Sequence, residues 1–246
     1  MPDSITAYVL LVVFIATLIR STLGFGEALV AVPLLALRTP VTVAAPLAVL
    51  VSVLVAAVIV VQDWRRVELR SATGLILWAL PGIPLGVLLL AKADDHLVKC
   101  ALGTIIVAFS IYSLVGRTTL HLRRDHRGWL IGCGFLSGVL GGAYGMNGPP
   151  LVVYGSLRRW SPQHFRATLQ GYFLPASLLG LLAYAALGLL GSAVARLFLF
   201  SLPVVLVAIV MGRAMNLRLK GDRFFRLVYA GLLVTGGALV VQALAR

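Results

Sequence analysis

Two ionisable residues of opposite sign, Arg20 and Glu27, flank the string Ser21-Thr22-Leu23-Gly24-Phe25-Gly26 within a region that is otherwise free of charge from Ile5 to Leu37. An arginine in such surroundings can hold an anionic oxygen group through two parallel hydrogen bonds. A second glycine-rich string runs Gly141-Gly142-Ala143-Tyr144-Gly145-Met146-Asn147-Gly148-Pro149-Pro150 and carries no charge. Asn147 is placed to cap a helix there, and Pro149-Pro150 suit its first turn, where a missing N–H costs nothing. A half-helix starting at that point aims unpaired N–H groups and a positive dipole end at whatever lies before it, a ready anion site. Plainer roles exist for the charged pair. Arg20 either contacts a substrate, neutralises Glu27 across the tip, or snorkels from a short helix end. Glu27 either carries a coupling proton or only balances Arg20.

The elements that position these residues follow from composition. The chain has 246 residues, 60% hydrophobic and 12% charged, with a mean hydropathy of +1.01. Soluble domains carry about 25% charged residues, so there is too little polar surface here to cover a globule in water. Charge-free stretches fill nearly the whole chain, and most approach the ~20 residues a helix needs to cross hydrocarbon. The expectation is an all-α integral membrane protein, a single membrane domain over residues 1–246. Met-Pro-Asp-Ser lacks the positive region of a cleavable signal, so the first hydrophobic segment is expected to be retained. Cys100 and Cys133 lie in apolar segments without CxxC spacing and read as packed thiols.

The chain also repeats itself. Gly24 to Val30 lies over Gly145 to Leu151 at an offset of 121 residues. Ala45 over Ala167, Leu47 over Leu169 and Leu80-Pro81 over Leu202-Pro203 follow at 122, and Leu97-Val98-Lys99 over Phe224-Phe225-Arg226 at 127. Two copies are predicted, residues 1–118 and 119–246, joined by the basic linker Gly116–Gly128. Each starts with a long glycine-interrupted region, Ile5–Leu37 or Trp129–Leu157, and continues with three apolar segments. These are Thr39–Gln62, Ser71–Ala91 and Leu97–Val115, then His164–Leu187, Ser192–Gly212 and Phe224–Ala245.

The net charge of +13 selects a topology. If every region crosses the membrane, lysines and arginines divide 11 inside to 9 outside, no bias at all. If both long regions are hairpins that return to the side they entered, the division becomes 15 to 5, with Arg20 alone inside the membrane. The positive-inside rule favours the hairpins. Their arms agree, since Ile5–Ile19 is 15 residues, ~22 Å of helix, and Ala28–Leu37 is shorter. An odd number of full spans per copy inverts one copy relative to the other, an architecture whose sites lie at the midplane between repeats. The predicted fold is thus two inverted repeats, each a broken re-entrant hairpin plus three transmembrane helices. The basic loops need no nucleic-acid partner.

Other polar residues carry less. Tyr144, Gln170, Tyr172 and Thr168 either line a path or satisfy interhelical hydrogen bonds. Gly82 and Gly86, like Gly134, Gly138 and Gly142, have the spacing of close helix packing in lipid. Gly24-x-Gly26 completes no nucleotide loop, and Trp64, Tyr112, Trp129 and Trp160 stand near segment ends as interfacial anchors. The four histidines fall in loops or at a span edge, and neither HExxH nor GxSxG occurs. No catalytic residue, metal site or cofactor is predicted.

With both tips quoted, the sequence resembles the sulfite exporter TauE/SafE family of membrane transporters. Gly24-Phe25-Gly26-Glu27-Ala28-Leu29-Val30-Ala31-Val32-Pro33 is similar to the family's first glycine-rich segment, with Glu27 and Ala28 where glycines are usual. Gly145-Met146-Asn147-Gly148-Pro149-Pro150-Leu151 is similar to its second. The resemblance implies transport, as a probable-exporter activity, of small sulfur-containing anions such as sulfite or organosulfonates across a prokaryotic inner membrane. It places the pathway around Gly24, Gly26, Gly145, Asn147 and Pro149. Joined to the residue chemistry, the expected substrate-binding set is Arg20, Gly24, Gly26, Glu27, Tyr144, Gly145, Asn147, Gly148, Pro149 and Gln170. The expected partners are a small anion, the lipid bilayer and, as an option, further copies in a homo-oligomer. The competing expectation is a membrane enzyme or accessory subunit whose tips serve packing or assembly.

Overall fold

A computed structural model describes residues 4–63, 69–115, 127–158, 160, 162–216 and 222–245. Among the described residues there are ten helices and no strand. They are α1 (Ser4–Leu23), α2 (Glu27–Ala36), α3 (Val41–Asp63), α4 (Leu69–Lys92) and α5 (Asp95–Val115), then α6 (Arg127–Tyr144), α7 (Gly148–Leu157), α8 (Pro162–Ala186), α9 (Ser192–Asn216) and α10 (Asp222–Leu244). Helix is the backbone state that pairs its own N–H and C=O groups without water, which hydrocarbon demands. Five are long and apolar enough to cross a membrane: α1, α3, α4, α5 and α9. Shorter apolar stretches cover α2, Gly171–Ala186 of α8 and Val228–Leu244 of α10.

The two interruptions fall where the glycines are. Gly24 and Gly145 take positive φ, 86° and 67°, and their N–H groups bond back to the carbonyls of Arg20 and Gly141 at 2.6 and 2.8 Å. Both are left-handed helix ends of the kind glycine permits without steric penalty. Gly26, φ 97°, then opens α2. Asn147 does stand at the N-cap of α7, but in helical geometry and without a side-chain capping bond. Its expected role as a cap is therefore not realised, because the right-handed backbone turns the side chain away from the first-turn N–H groups.

The first arm is longer than its charge-free stretch. α1 runs 20 residues, ~30 Å, because Arg20 does not end it: the guanidinium is neutralised within the fold and the helix continues to Gly24. At the other end of α1 the Tyr8 hydroxyl donates to the Leu34 carbonyl near the end of α2 at 2.5 Å, and the Arg38 guanidinium stacks 4.8 Å from the Tyr8 ring. The chain therefore doubles back.

α2 is almost wholly buried, whereas α4, α5, α9 and α10 expose large apolar side chains such as Leu77, Leu97, Val210 and Val234. A water-facing surface of that kind is untenable, and lipid is its natural solvent. α6 lies along α4, α1 along α9, α5 along α10 and α3 along α8. Glycine makes the first of these contacts close: a Cβ on Gly138 would run into the Ala79 carbonyl, and one on Gly86 into that of Val139. This is small-residue packing of the kind membrane helices use. Both cysteines are free, Cys133 buried and Cys100 half-buried. Nine of the twenty basic residues behind the topology argument (Arg65, Arg66, Arg117, Arg123, Arg124, Arg159, Arg218, Lys220 and Arg246) lie outside the described residues, as do Trp64 and residues 116–126 of the linker.

Candidate functional site

The two helix breaks meet around one cavity. Arg20, Phe25, Gly26, Glu27, Ala28 and Leu29 contribute from the first break, and Gly145, Met146, Asn147, Gly148 and Pro149 from the second. Ser52 of α3, Phe109 of α5 and Phe173 of α8 close it. About 30 Å³ is open to the centres of water-sized molecules. One water takes roughly 10–15 Å³ on that measure, so two or three waters, or one small oxyanion, fit.

Arg20 dominates the electrostatics. Its exposure is 2% and that of Glu27 is 3%. Arg20 Nη1 donates to Glu27 Oε2 and to Ser52 Oγ, each at 2.5 Å. Glu27 Oε1 accepts from the Thr17 hydroxyl at 3.2 Å, and the guanidinium carbon lies 5.3 Å from the Phe173 ring centre. Nε and Nη2 of Arg20 are buried without a hydrogen-bond partner among the described residues. Those atoms form one edge of the guanidinium, the edge that presents two parallel N–H bonds to an oxyanion. Leaving a buried donor unpaired costs ~1–3 kcal/mol, so this edge favours acceptor oxygens.

The helix ends differ in what they offer. Glu27 opens α2, so that helix meets its own positive end with a carboxylate. At α7 the prolines at 149 and 150 remove two of the first four N–H groups, which makes this N-terminus a weaker anion site than the pattern suggested. Asn147 Oδ1, buried, has no partner. It fills space that a side chain on Gly141, 121 residues on from Arg20, would take. The second break is tied down from behind: the Ser137 hydroxyl donates to the Asn147 carbonyl at 2.7 Å and bonds the Tyr172 hydroxyl at 2.9 Å. Tyr184 donates to the Gly142 carbonyl at 2.7 Å.

Of the expected set, Arg20, Gly26, Glu27, Gly145, Asn147, Gly148 and Pro149 line the cavity. Gly24 does not line it and instead ends α1. Tyr144, also expected at the site, is buried; its hydroxyl donates to the Val98 carbonyl of α5 at 3.1 Å, and it is not among the residues that line the cavity. Tyr172 likewise makes a packing bond. The Gln170 side chain lies outside the described residues, and Thr168 is buried. Ser52, Phe109 and Phe173 were not anticipated. The available signal was that Ser52 interrupts a purely apolar run and falls 121 residues before Phe173, the offset that relates the tips.

A helical membrane protein with a buried, half-satisfied arginine in a cavity between two broken helices has the build of a small-anion transporter. The family model described as sulfite exporter TauE/SafE matches residues 9–239, nearly the whole chain, and the chain belongs to that family of transporters. It is similar, at 27% identity over 185 residues, to a Cupriavidus necator protein named "Probable sulfite/organosulfonate exporter TauE", the match covering 74% of this chain and 70% of the relative. No solved structure matches it.

Proposed function

We propose that the chain is a secondary transporter that exports small sulfur-containing oxyanions, sulfite or organosulfonates, across a bacterial inner membrane. The observation that carries this is the unpartnered Nε–Nη2 edge of buried Arg20 in a cavity of oxyanion size. Family membership and the relative's printed name supply the substrate class.

In the proposed mechanism the anion sits between the two breaks, with two oxygens on Arg20. First-turn N–H groups of α2 and α7 and the Ser52 hydroxyl complete its shell, and Phe109, Phe173 and Met146 exclude water. Ser52 is the twelfth of 23 residues in α3 and Phe173 the twelfth of 25 in α8, which supports a site near the bilayer midplane. The arrangement of two inverted repeats, residues 1–118 and 119–246, is supported by helix order and by pairing. Five helices of 20, 10, 23, 24 and 21 residues are followed by five of 18, 10, 25, 25 and 23. Exchanging the halves turns the α4–α6 contact into α9–α1 and leaves α3–α8 and α5–α10 unchanged. Both glycine-broken regions are then re-entrant hairpins, and relative movement of the halves opens the cavity alternately to each side.

Purified protein in liposomes tests this with a panel of labelled sulfite, isethionate, methanesulfonate, sulfate and carboxylates. Saturable sulfite or sulfonate flux is expected. Its absence across the panel, from protein that is folded by its thermal transition, refutes transport of this class.

A further inference from the structure

The cavity holds one cation and, already, one anion. Glu27 opens α2 with its carboxylate against both the helix's positive end and Arg20 Nη1, so it occupies much of the ground an incoming oxyanion needs. Among the described residues the other walls bring no cationic side chain to offset a further negative charge. Facing the carboxylate, α1 brings Arg20 and Thr17. The cavity takes Ser52 from α3, Phe109 from α5, Phe173 from α8, and Met146 and Asn147 from the second break. α5 and α10 also pack near α2. Their described titratable side chains, Asp95, His96, Lys99, Cys100, Tyr112 and Tyr229, are absent from the lining. With Arg20 and Glu27 both ionised the empty cavity is neutral. A monovalent anion added to it would leave a buried negative charge, which apolar surroundings disfavour strongly.

Resting on the oxyanion reading of the same cavity, we propose that Glu27 is a built-in counter-anion that takes up one proton for each monovalent anion bound, making transport an electroneutral proton–anion symport. The proton adds to Glu27 Oε2 and the ion pair with Arg20 Nη1 breaks. The anion takes the Nε–Nη2 edge and replaces the carboxylate as the guanidinium's counter-charge, so buried net charge stays at zero in the empty and the loaded forms. Release reverses each step, with proton and anion leaving on the same side. Direction is then set by the anion gradient and the pH gradient together, and export runs only while the inside-to-outside anion ratio exceeds the outside-to-inside ratio of proton activities.

Labelled isethionate is a suitable probe, because a sulfonate stays ionised and cannot carry the proton itself. Proteoliposomes are clamped at zero potential with potassium and valinomycin, with the lumen one pH unit more alkaline than the bath. Coupling at one proton per anion predicts about tenfold accumulation of isethionate in the lumen, since one pH unit is a tenfold ratio of proton activity. Nigericin should abolish the accumulation, and whatever flux Glu27→Gln retains should approach equal concentrations. Wild-type flux that equilibrates with the pH gradient intact overturns the proposal. So does accumulation by Glu27→Gln, and if that variant fails to fold the wild-type ratio still decides. Wild-type protein with no saturable isethionate flux fails differently: it removes sulfonate transport itself, and coupling with it.

Discussion

Replacing Arg20 by methionine, alone and together with Glu27→Gln, separates the arginine's part in the fold from its part in binding. In the single variant the carboxylate stays buried at 3% exposure with the Thr17 hydroxyl as its remaining described hydrogen bond. Breaking a buried pair from one side costs about 3–5 kcal/mol. Removing both charges leaves only ordinary hydrogen-bond and packing losses, about 1–2 kcal/mol in sum. The double variant should therefore be more stable than Arg20→Met by about 2–3 kcal/mol, read from reversible unfolding in mixed micelles. Binding should move otherwise. Two charge-assisted hydrogen bonds from the Nε–Nη2 edge contribute about 1.5–3 kcal/mol each, so either variant lacking Arg20 should lose roughly 10²–10⁴-fold in sulfonate affinity. Isothermal calorimetry on the stable double variant reads that loss without interference from unfolding. An affinity within tenfold of wild type in Arg20→Met/Glu27→Gln would show that the guanidinium edge does not hold the anion. A single variant as stable as the double would show that Glu27 does not depend on Arg20.

Further outcomes follow from other parts of the structure. Tyr144→Phe removes one bond to the Val98 carbonyl and should cost about 0.5–1.5 kcal/mol of stability while sulfonate affinity changes less than threefold; a hundredfold loss of affinity would return Tyr144 to the site. Gly138→Val drives a side chain into the Ala79 backbone and should separate α4 from α6, costing more than about 3 kcal/mol, seen as loss of the monodisperse peak on gel filtration. Gly26→Ala has open space around the new methyl but must hold φ near 97°. It should cost about 1–2 kcal/mol without dispersing the fold, checked by thermal unfolding. For the inverted topology, a cysteine at Arg123→Cys should react with an impermeant maleimide only from the cytoplasm and one at Asp95→Cys only from outside. Labelling of both from one face contradicts the hairpins.

The sequence carried most helix ends to within about two residues, because in a lipid-soluble chain the ends of charge-free runs tend to be physical ends, but α1 and α9 each run four residues beyond the expected end. It also carried both breaks, since glycine strings that free the backbone are unmistakable among leucines and valines. Charge counting failed at Arg20. A rule that stops a membrane arm at the first arginine has no knowledge of Glu27, whose pairing lets α1 run one turn further. The signal at Ser52 was weak for another reason: Ser110, Ser137 and Ser201 are also buried serines in apolar helices, and only the fold brings Ser52 to the guanidinium. The partner of Tyr144, the Val98 carbonyl, is a backbone atom 46 residues away that leaves no trace in composition.

Both charges of the cavity's described lining belong to the first helix break, and the second, with Gly141 at the corresponding place, supplies only dipoles and apolar wall. The two faces of the site are thus unequal partners. Arg20, Glu27 and Thr17 lie within one continuous stretch of eleven residues, so under the proposed alternating access a sliding of one half past the other would carry the guanidinium and its carboxylate together, like a sealed cartridge. Such a displacement can change which side of the membrane the site faces without ever pulling opposite charges apart in hydrocarbon, and only an arriving ligand has to do that work.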